Sequence, residues 1–303
     1  MLSKEKISEQ LGTKWAASNI WYKEVTGSTK DDAKRLAEEG APHGMLVVAD
    51  KQEQGRGSKG RSWETPAGRN IAMSMVLRPT VPLEAVPMIT LVAGLSVAEG
   101  IDKCLIEAGA IIGGSEGFEK RSGDVVISQI KWPNDVIIGG KKICGILTET
   151  NMEPGGGVSD VILGIGINVN MTEFPEEISE FAGSILTASG MALDRNKLIA
   201  RIMERFETNY ELYEKSCDLS LLKDSYELRM VSKGEKVLLT DTNKVTALAG
   251  KQAVEESFES NPDMIGTAMG ITDKGQLQMI MEDGRTCELN AGEISVRGLY
   301  GYV

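Results

Sequence analysis

The sequence predicts an α+β fold in which a larger unit of helices and strands is followed by a small β-barrel. Up to about residue 230, apolar residues recur at helix spacing in some segments and at strand spacing in others. Beyond that point the helical period disappears, and short strands separated by turns take its place. A length of 303 residues accommodates two units. We therefore expect one domain of residues 1–230 and a smaller one of residues 231–303.

Helices in the larger unit are predicted from apolar residues spaced three and four apart and from capping residues. Ser28 and the acids after it open one helix, which Gly40 ends. Pro87 lies near the start of the longest helix, where proline is tolerated best. The predicted helices cover residues 28–39, 84–109, 197–215 and 219–230.

Strands are predicted from short apolar runs that are bounded by turn residues. Those of the larger unit cover residues 45–50, 71–78, 125–132 and 161–169. Gly139 and Gly140 separate two apolar runs, which predicts a tight hairpin over residues 135–149. The barrel strands are expected near residues 236–240, 264–271, 276–281, 286–289 and 293–297. Segments 111–123 and 250–263 are rich in Gly, Ser or Glu and are interpreted as mobile insertions.

Composition excludes several classes of function. The chain has 41% hydrophobic and 25% charged residues, and no apolar run reaches the roughly 18 residues of a membrane span. Its N-terminus lacks the apolar core of a secretory signal, so we expect a cytoplasmic protein with no membrane partner. The net charge of −11 disfavours binding to a phosphodiester backbone.

Histidine and cysteine usage restricts the chemistry further. His43 is the only histidine, which leaves almost no basis for a Ser-His-Asp hydrolase or a histidine metal centre. The cysteines form no CxxC pair and are interpreted as small buried apolar residues rather than metal ligands. They are Cys104, Cys144, Cys217 and Cys287. The spacing of residues therefore predicts no metal site built by the protein itself.

The clearest chemical pattern is a glycine-rich basic loop, QGRGSKGRSW, over residues 54–63. Glycines let backbone N–H groups converge and cations neutralise phosphate oxygens, so the loop predicts an anion site. An exposed basic hairpin loop is the alternative interpretation. The spacing also nearly matches a P-loop, but the ETPAGRN segment that follows opposes the helix that a P-loop requires.

A second cluster, KWPNDV, follows a predicted strand and places Lys131, Asn134 and Asp135 within five residues. A cation, an amide and a carboxylate so close together suggest a site of catalysis. A lysine beside an aspartate is more often a surface or structural ion pair, however. The spacing alone leaves both interpretations open.

These motifs, together with two further segments, resemble the biotin protein ligase family. The resemblance rests on QxxGRGxxGRxW at residues 52–63, KWPNDV at 131–136, KKICGIL at 141–147 and GIGINVN at 164–170, in the family's order. GST at 27–29 and GEISVRG at 292–298 extend it across the chain. It implies a catalytic domain with a mixed sheet flanked by helices, similar to class II aminoacyl-tRNA synthetases, and a C-terminal SH3-like β-barrel.

The resemblance also implies roles for individual residues. Biotin binding is expected from Ser28, Thr29, Lys30, Gln52, Gly55, Arg56, Gly57, Ser58, Lys131 and Gly145. ATP or adenylate binding is expected from Arg56, Lys59, Arg61, Trp63, Asn134, Asn168 and Arg297. Catalysis is expected from Lys131, Asp135 and Lys142. Lys131 would lie between the biotin carboxylate and the α-phosphate, and the other two would organise transfer, with the direct role of each left open.

The activity that the resemblance implies has two steps. Biotin and ATP, with Mg²⁺ as the counterion of the triphosphate, give biotinyl-5′-AMP and pyrophosphate, and biotin then passes to a lysine of an acceptor. The implied acceptor is a biotin carboxyl carrier protein domain of a biotin-dependent carboxylase, as for a biotin–[acetyl-CoA-carboxylase] ligase. A homodimer is a further assembly that the sequence leaves open.

Two departures and two alternative functions accompany the resemblance. Lys30 and Ser58 stand where asparagine and arginine are frequent in the family. Gly27 is preceded by 26 residues, too few for a helix-turn-helix domain, so we expect no DNA binding. A regulator that binds biotin without transferring it is disfavoured by the intact catalytic set. A lipoate ligase would share the fold, but the basic loop and KWPNDV favour biotin.

Overall fold

Two seven-stranded sheets organise the computed structural model, which describes residues 1–57, 60–109, 119–121, 124–240, 246–249, 252–254, 264–291 and 295–298. The helices are α1 (Lys4–Ser8), α2 (Thr29–Glu38), α3 (Ile89–Glu107), α4 (Ile185–Ser189), α5 (Arg195–Ser216) and α6 (Lys223–Arg229). The first strands are β1 (Ile20–Thr26), β2 (Met45–Gln52), β3 (Ile71–Leu77), β4 (Glu119–Arg121), β5 (Asp124–Val126), β6 (Gln129–Lys131), β7 (Asp135–Ile138), β8 (Lys141–Met152) and β9 (Val158–Ile167). The later strands are β10 (Lys236–Thr240), β11 (Thr246–Ala249), β12 (Gln252–Val254), β13 (Met264–Ile271), β14 (Leu277–Met281), β15 (Thr286–Leu289) and β16 (Ser295–Gly298).

The first sheet has the strand order β1-β2-β3-β9-β8-β7-β6. It is mixed, because β1 pairs with β2 in parallel whereas the other neighbours are antiparallel. Helix α2 covers one face, where Ala33 and Ala37 pack against Val47, Val76 and Ile162. Helices α3 and α5 pack together in the larger core on the other side. The predicted mixed sheet flanked by helices is confirmed.

The predicted hairpin at Gly139 and Gly140 is also confirmed. The two glycines have φ of 56° and 73° and join β7 to β8. Both values lie in the left-handed region that a two-residue hairpin turn requires, and glycine adopts this region without a Cβ clash. The conformation of these two glycines therefore sets the pairing of β7, which begins within KWPNDV, with β8.

The predicted helix over residues 84–109 is divided in two. Leu83–Met88 forms a 3₁₀ helix that contains Pro87, and the α-helix begins only at Ile89. The residues up to Met88 adopt this tighter helical turn, which contains the proline, and the regular α-helix follows it. The helix predicted over residues 219–230 is likewise shorter. Asp218 accepts a hydrogen bond from Ser220 N in a preceding turn, and α6 begins at Lys223.

The strand predicted over residues 125–132 is interrupted. Among the described residues, strand β5 pairs with β4 in a separate two-stranded ladder, and β6 joins the first sheet from Gln129. Between them the backbone N–H groups of Ile127 and Ser128 donate to the carboxylate of Asp102 on α3, at 3.3 and 2.8 Å. These two N–H groups bond to Asp102 instead of to a neighbouring strand. The buried carboxylate of a distant helix thus interrupts the predicted strand.

The second sheet has the order β12-β11-β15-β14-β13-β10-β16, and its pairs are antiparallel. The strands predicted at residues 236–240, 264–271 and 286–289 coincide with observed ones. Of the predicted insertions, residues 119–121 and 252–254 form strands, and the rest lie outside the described residues. The end strands β12 and β16 do not pair with each other in the described part of the chain, so the SH3-like barrel stays a prediction.

The two sheets are joined by direct contacts. Leu219 N donates to Asp273 O at 2.7 Å, and Ile271 N of β13 donates to the carboxylate of Glu227 on α6 at 2.9 Å. One buried apolar cluster also continues from the first sheet to the second. The division into residues 1–230 and 231–303 therefore stays a prediction.

The cysteines agree with the prediction at three of their four positions. Cys104, Cys144 and Cys287 are buried, and burial raises the pKa of the Cys104 thiol to about 12. Cys217 is exposed, so its predicted burial is wrong. It ends α5 in a left-handed conformation at φ 56°, where the chain turns at the surface.

No helix within the described ranges is long and apolar enough to cross a bilayer.

Glu207 on α5 anchors the N-terminal segment of the chain. Its carboxylate accepts backbone hydrogen bonds from Lys14 at 2.9 Å, Trp15 at 2.7 Å and Ala16 at 2.9 Å. Burial raises the pKa of Glu207, but the three backbone donors together outweigh burial and hold the pKa below its usual value. The ionised form therefore stabilises the fold.

We expect Glu207→Gln to lower the free energy of unfolding by about 2 kcal/mol near pH 7, because hydrogen bonds to a charged acceptor are replaced by weaker ones. The pKa of Glu207 is lower in the folded state than in the unfolded state. The stabilisation is therefore complete above the unfolded value of about 4.3 and is lost as pH falls through the folded value. Urea unfolding should show the gap between the two proteins narrowing below about pH 5. A gap that stays constant with pH would contradict this role.

Candidate active site

A strip of three glycines forms the floor of a cavity on the first sheet. Gly145 of β8 lies opposite Gly166 of β9 in the antiparallel register. Gly164 lies on the same face, because it precedes Gly166 by two residues in a strand. All three line the cavity. Since no side chain rises from them, other groups can lie directly on the backbone.

Polar side chains meet at one end of this cavity. Strands β1 and β2 are parallel, so the start of α2 after β1 lies beside the end of β2. Thr29 donates to Oε1 of Gln52 from its backbone N at 2.9 Å and from its Oγ1 at 3.1 Å. Its hydroxyl also shares a hydrogen bond of 2.9 Å with Ser74 Oγ. Ser28 precedes α2, is buried, and makes no capping hydrogen bond with its side chain. This end offers hydroxyl and amide groups to a polar ligand.

Lys30 forms part of the cavity wall beside these polar groups. A Cβ added to Gly164 would lie 2.8 Å from Lys30 Cδ, so the aliphatic stem covers this glycine. The Lys30 ammonium pairs with Glu149 Oε1 of β8 at 2.5 Å. The lysine is only 6% exposed, so its charge needs this partner. Its stem and its ion pair thus both shape the cavity.

Trp63 covers the other end of the glycine strip. A Cβ at Gly166 would overlap the indole Nε1, and one at Gly145 would lie 3.2 Å from Cζ3. The tryptophan is held there by a hydrogen bond of 2.8 Å from its backbone N to Gly55 O. Its indole N–H is buried, and no group among the described residues accepts a hydrogen bond from it. A buried N–H group that donates no hydrogen bond destabilises the structure. The position of the indole on the glycine strip therefore has a cost in free energy.

The rest of the glycine-rich loop lies near Trp63. Gly57 N donates to Arg61 O at 2.7 Å, which folds the loop into a hairpin. The Arg56 guanidinium pairs with Asp31 on α2, and both side chains are more than half exposed. Ser58 and Lys59 lie outside the described residues. The loop therefore has the hairpin conformation of the alternative interpretation. Its residues Arg56 and Gly57 also line the cavity.

The KWPNDV segment supplies the wall opposite the loop. Asn134 Nδ2 donates to Ile146 O at 2.8 Å, and Ile146 N donates back to Asn134 O at 3.1 Å. Asp135 pairs with Lys142 at 2.6 Å, with side chains 13% and 25% exposed. Lys142 Nζ also lies 5.8 Å from the centroid of the Trp63 ring. A carboxylate and an ammonium therefore face the cavity together.

A second, more apolar hollow adjoins the first. Trp63, Lys142 and Arg61 contribute to its lining. The apolar part of the lining comes from Met171, Phe174, Pro175, Ile178, Phe181 and Ala182. Ile178 and Phe181 are 46% and 43% exposed, so two large apolar side chains lie side by side at the surface of this hollow. This apolar lining was not predicted from the sequence. Its signal was a set of apolar residues spaced along the acidic segment of residues 171–182, directly after GIGINVN.

Asn168 lines the second hollow but uses its side chain to hold the surrounding backbone. Its Nδ2 donates to Gly183 O at 3.0 Å, and its Oδ1 accepts from Asn70 Nδ2 at 3.0 Å. It therefore fixes the end of β9 against the segment that closes the hollow. Arg297 lies in β16, where its backbone pairs with Leu238, and its side chain is outside the described part.

Comparisons with known proteins agree with this geometry. A model of the biotin/lipoate A/B protein ligase family matches residues 22–168. The bifunctional ligase/repressor BirA of Bacillus spizizenii is 36% identical over 93% of this chain and 76% of its own. The biotin–[acetyl-CoA-carboxylase] ligase of Mycobacterium tuberculosis is 30% identical over 97% of this chain and 95% of its own. The chain belongs to the biotin protein ligase family.

A solved structure extends the family relationship to the fold. The biotin protein ligase from Aquifex aeolicus, in complex with biotin and ATP, has a TM-score of 0.68 and is 28% identical. The match covers 93% of this chain and 99% of that one. The family and the class of fold that the motifs implied are thereby confirmed.

Family membership leaves the roles of individual residues as predictions, but the structure brings most of the named residues together. Those that line the first cavity are Ser28, Thr29, Lys30, Gln52, Arg56, Gly57, Trp63, Asn134, Asp135, Lys142 and Gly145. Arg61 and Asn168 line the second hollow. Gly55 and Lys131, although described, line neither. The sequence did not identify Ser74 as a site residue, because β3 is buried on both faces. In such a strand the apolar pattern does not distinguish the face that meets a ligand.

We expect Gly166→Ala to displace the Trp63 indole from the strip while the sheet remains folded, because the new methyl group overlaps a side chain rather than backbone. The tryptophan emission maximum should shift towards the red relative to the unsubstituted protein. Gly157→Ala, at an exposed glycine in the loop between β8 and β9, should leave the spectrum unchanged. The shift should also disappear when Trp63→Phe is introduced first. An unchanged spectrum in Gly166→Ala would show that the indole does not lie on this glycine.

Proposed function

We propose that this chain is an ATP-dependent biotin protein ligase. It joins biotin to ATP, giving biotinyl-5′-AMP and pyrophosphate, and then transfers biotin to an acceptor lysine. The observation that carries the proposal is the cavity over the glycine strip, with Thr29 and Gln52 at one end and the Lys142–Asp135 pair at the other. A ligand with a polar head, an apolar middle and a reacting carboxylate matches this order. The Aquifex aeolicus neighbour, a complex with biotin and ATP, supports these substrates.

Biotin would lie along the strip with its ureido group at the polar end. Ser28, Thr29 and Gln52 would bind that group, because a buried urea needs partners for its N–H and C=O groups. The ring and the aliphatic chain would lie on the glycines, where Gly145 leaves room, beside the stem of Lys30. The loop residues that would cover biotin are Gly55, Arg56, Gly57 and Ser58.

ATP would occupy the second hollow and the space between it and the glycine strip. Trp63 would leave the strip when biotin enters and stack on adenine in the hollow, which it already lines. The remaining nucleotide contacts are proposed for Arg56, Lys59, Arg61, Asn134, Asn168 and Arg297. Among the described residues no three metal-ligating side chains cluster, so Mg²⁺ would be held mainly by the phosphates.

The first step is an in-line displacement at the α-phosphorus. A biotin carboxylate oxygen forms a bond to phosphorus, and the bond to pyrophosphate breaks. Two anions must approach each other, so a preorganised cation lowers the barrier. We assign this role to Lys131, following the family motif, although its side chain lines neither cavity. Its movement towards the carboxylate would accompany ligand binding.

The second step moves the biotinyl group from AMP to the acceptor amine. The amine nitrogen attacks the acyl carbonyl, AMP leaves, and the amine loses a proton. Asp135 and Lys142 face the cavity as a pair, so they are placed to orient the amine and to accept or balance that proton. The proposed acceptor is a biotin carboxyl carrier protein domain, and the proposed compartment is the cytoplasm. The small C-terminal domain of residues 231–303 would contribute Arg297.

Biotin-dependent exchange between ATP and pyrophosphate tests the proposed function. The purified protein should catalyse exchange only with biotin, ATP and Mg²⁺ together. Lipoic acid in place of biotin should support little exchange, which separates this activity from that of a lipoate ligase. Exchange with lipoic acid but not with biotin would reassign the substrate. Tight biotin binding without exchange would indicate a binding protein that lacks the activity.

Single substitutions separate the two steps. Lys131→Ala should lower biotin-dependent exchange by at least about two orders of magnitude, as the loss of a preorganised charge contact commonly does. Lys142→Ala should slow transfer from preformed adenylate to the acceptor by about tenfold or more, because a positioning charge is lost. Lys103→Ala is the matched control. This lysine pairs with Glu204 on the surface and lines neither cavity, so both steps should stay unchanged. Normal exchange in folded Lys131→Ala protein would remove Lys131 from the first step.

A further inference from the structure

The turn that carries the KWPNDV motif is held by residues from the end of the chain. Trp132 is buried, and its indole Nε1 donates to Gly275 O at 3.0 Å, across 143 residues of sequence. The next carbonyl, that of Pro133, accepts a hydrogen bond from Tyr226 OH of α6 at 3.3 Å. Neither Trp132 nor Tyr226 lines either cavity. The contacts that fix this turn therefore come from outside the site.

Gly275 is a fixed acceptor, because the turn between β13 and β14 is itself well anchored. Thr272 N donates to Gln276 O at 2.8 Å, and Gly275 N donates to Thr272 O at 2.9 Å. Gly275 has φ of 75°, and a Cβ there would lie 3.1 Å from Leu219 Cδ1. The turn is thus packed against the segment before α6 as well as hydrogen-bonded within itself. The Gly275 carbonyl is therefore held in a fixed orientation towards the Trp132 indole.

The turn around Trp132 leads directly to the reacting groups. Two residues later, Asn134 exchanges hydrogen bonds with Ile146 on β8. Asp135 follows and pairs with Lys142 at 2.6 Å. A rotation of the turn about its outer anchors would move both side chains along the cavity wall. Small displacements of this kind reduce rates strongly when reacting groups must be aligned.

We propose that Trp132 is a positioning residue for the ligase reaction. Its indole N–H, bonded to Gly275 O, orients the turn that places Asn134 and Asp135 on the cavity wall. Through this hydrogen bond the turn between β13 and β14 acts on the site without touching a ligand. The inference rests on the proposed function, since it concerns the groups assigned to adenylation and transfer.

Trp132→Phe in the full chain tests this inference, because phenylalanine keeps an aromatic ring but has no donor. We expect kcat for biotin-dependent exchange to fall by about tenfold. The KM for biotin should stay within about twofold, because the polar end of the cavity is untouched. Hydrogen exchange of the backbone at residues 130–137 should become faster.

Tyr213→Phe is the matched control. Tyr213 OH is another buried aromatic donor to a backbone carbonyl, that of Ala85 at 2.9 Å, and it lies away from both cavities. Tyr213→Phe should lower stability to a similar degree but leave kcat and the exchange of residues 130–137 unchanged. Equal losses of kcat in both variants would show a general effect of destabilisation and overturn the inference. An unchanged kcat in Trp132→Phe would overturn it as well.

The two proposals fail in different ways. An unsubstituted protein without biotin-dependent exchange would refute the proposed function. The hydrogen-exchange comparison of Trp132→Phe with Tyr213→Phe would still decide whether the indole bond holds the turn. Unaltered protection of residues 130–137 in Trp132→Phe would refute the positioning role without reference to activity.

Discussion

The absence of side chains at Gly145, Gly164 and Gly166 is the constraint on which the site depends. Glycine within a strand costs roughly 0.5–1 kcal/mol relative to alanine. Here it lies in the middle of a sheet that large apolar residues bury on both faces, so the sheet tolerates the cost. In return, Lys30 and Trp63 can lie against bare backbone. A flat ligand that replaced the indole would be held between the sheet and the loop, without the sheet having to move.

Two cations of the site are each paired with an acid. Lys142 is paired with Asp135, and buried Lys30 is paired with Glu149. A chain with a net charge of −11 thus presents local cations to anionic substrates and pairs both of these lysines with carboxylates. Buried lysines without partners would pay a large desolvation cost, so the acids are as necessary as the cations. A carboxylate or phosphate that binds here would interact with a lysine that is already paired with an acid, rather than with an isolated charge.

The connection between the sheets depends on a few buried polar residues of the first unit. Asp102 accepts the N–H groups of Ile127 and Ser128 and pairs with Arg229 of α6 at 2.5 Å. Burial raises the pKa of Asp102, and the arginine opposes that effect. This arrangement ends the β4–β5 ladder and starts β6 at the position from which KWPNDV follows. The same helix α6 then contacts the second sheet, where Glu227 accepts from Ile271 N at 2.9 Å.

The sequence by itself determined what local chemistry controls. The alternation of apolar residues located most strands, Gly139 and Gly140 located a hairpin, and ordered motifs identified the family. Only the tertiary structure decided that Asp102 breaks a predicted strand, that Trp63 lies on the glycine strip and that Lys131 lies off the cavity wall. Periodicity and turns depend on neighbouring residues, so the sequence displays them. The position of a long side chain depends instead on which distant backbone approaches it, and that is settled only when the sheets and helices pack together.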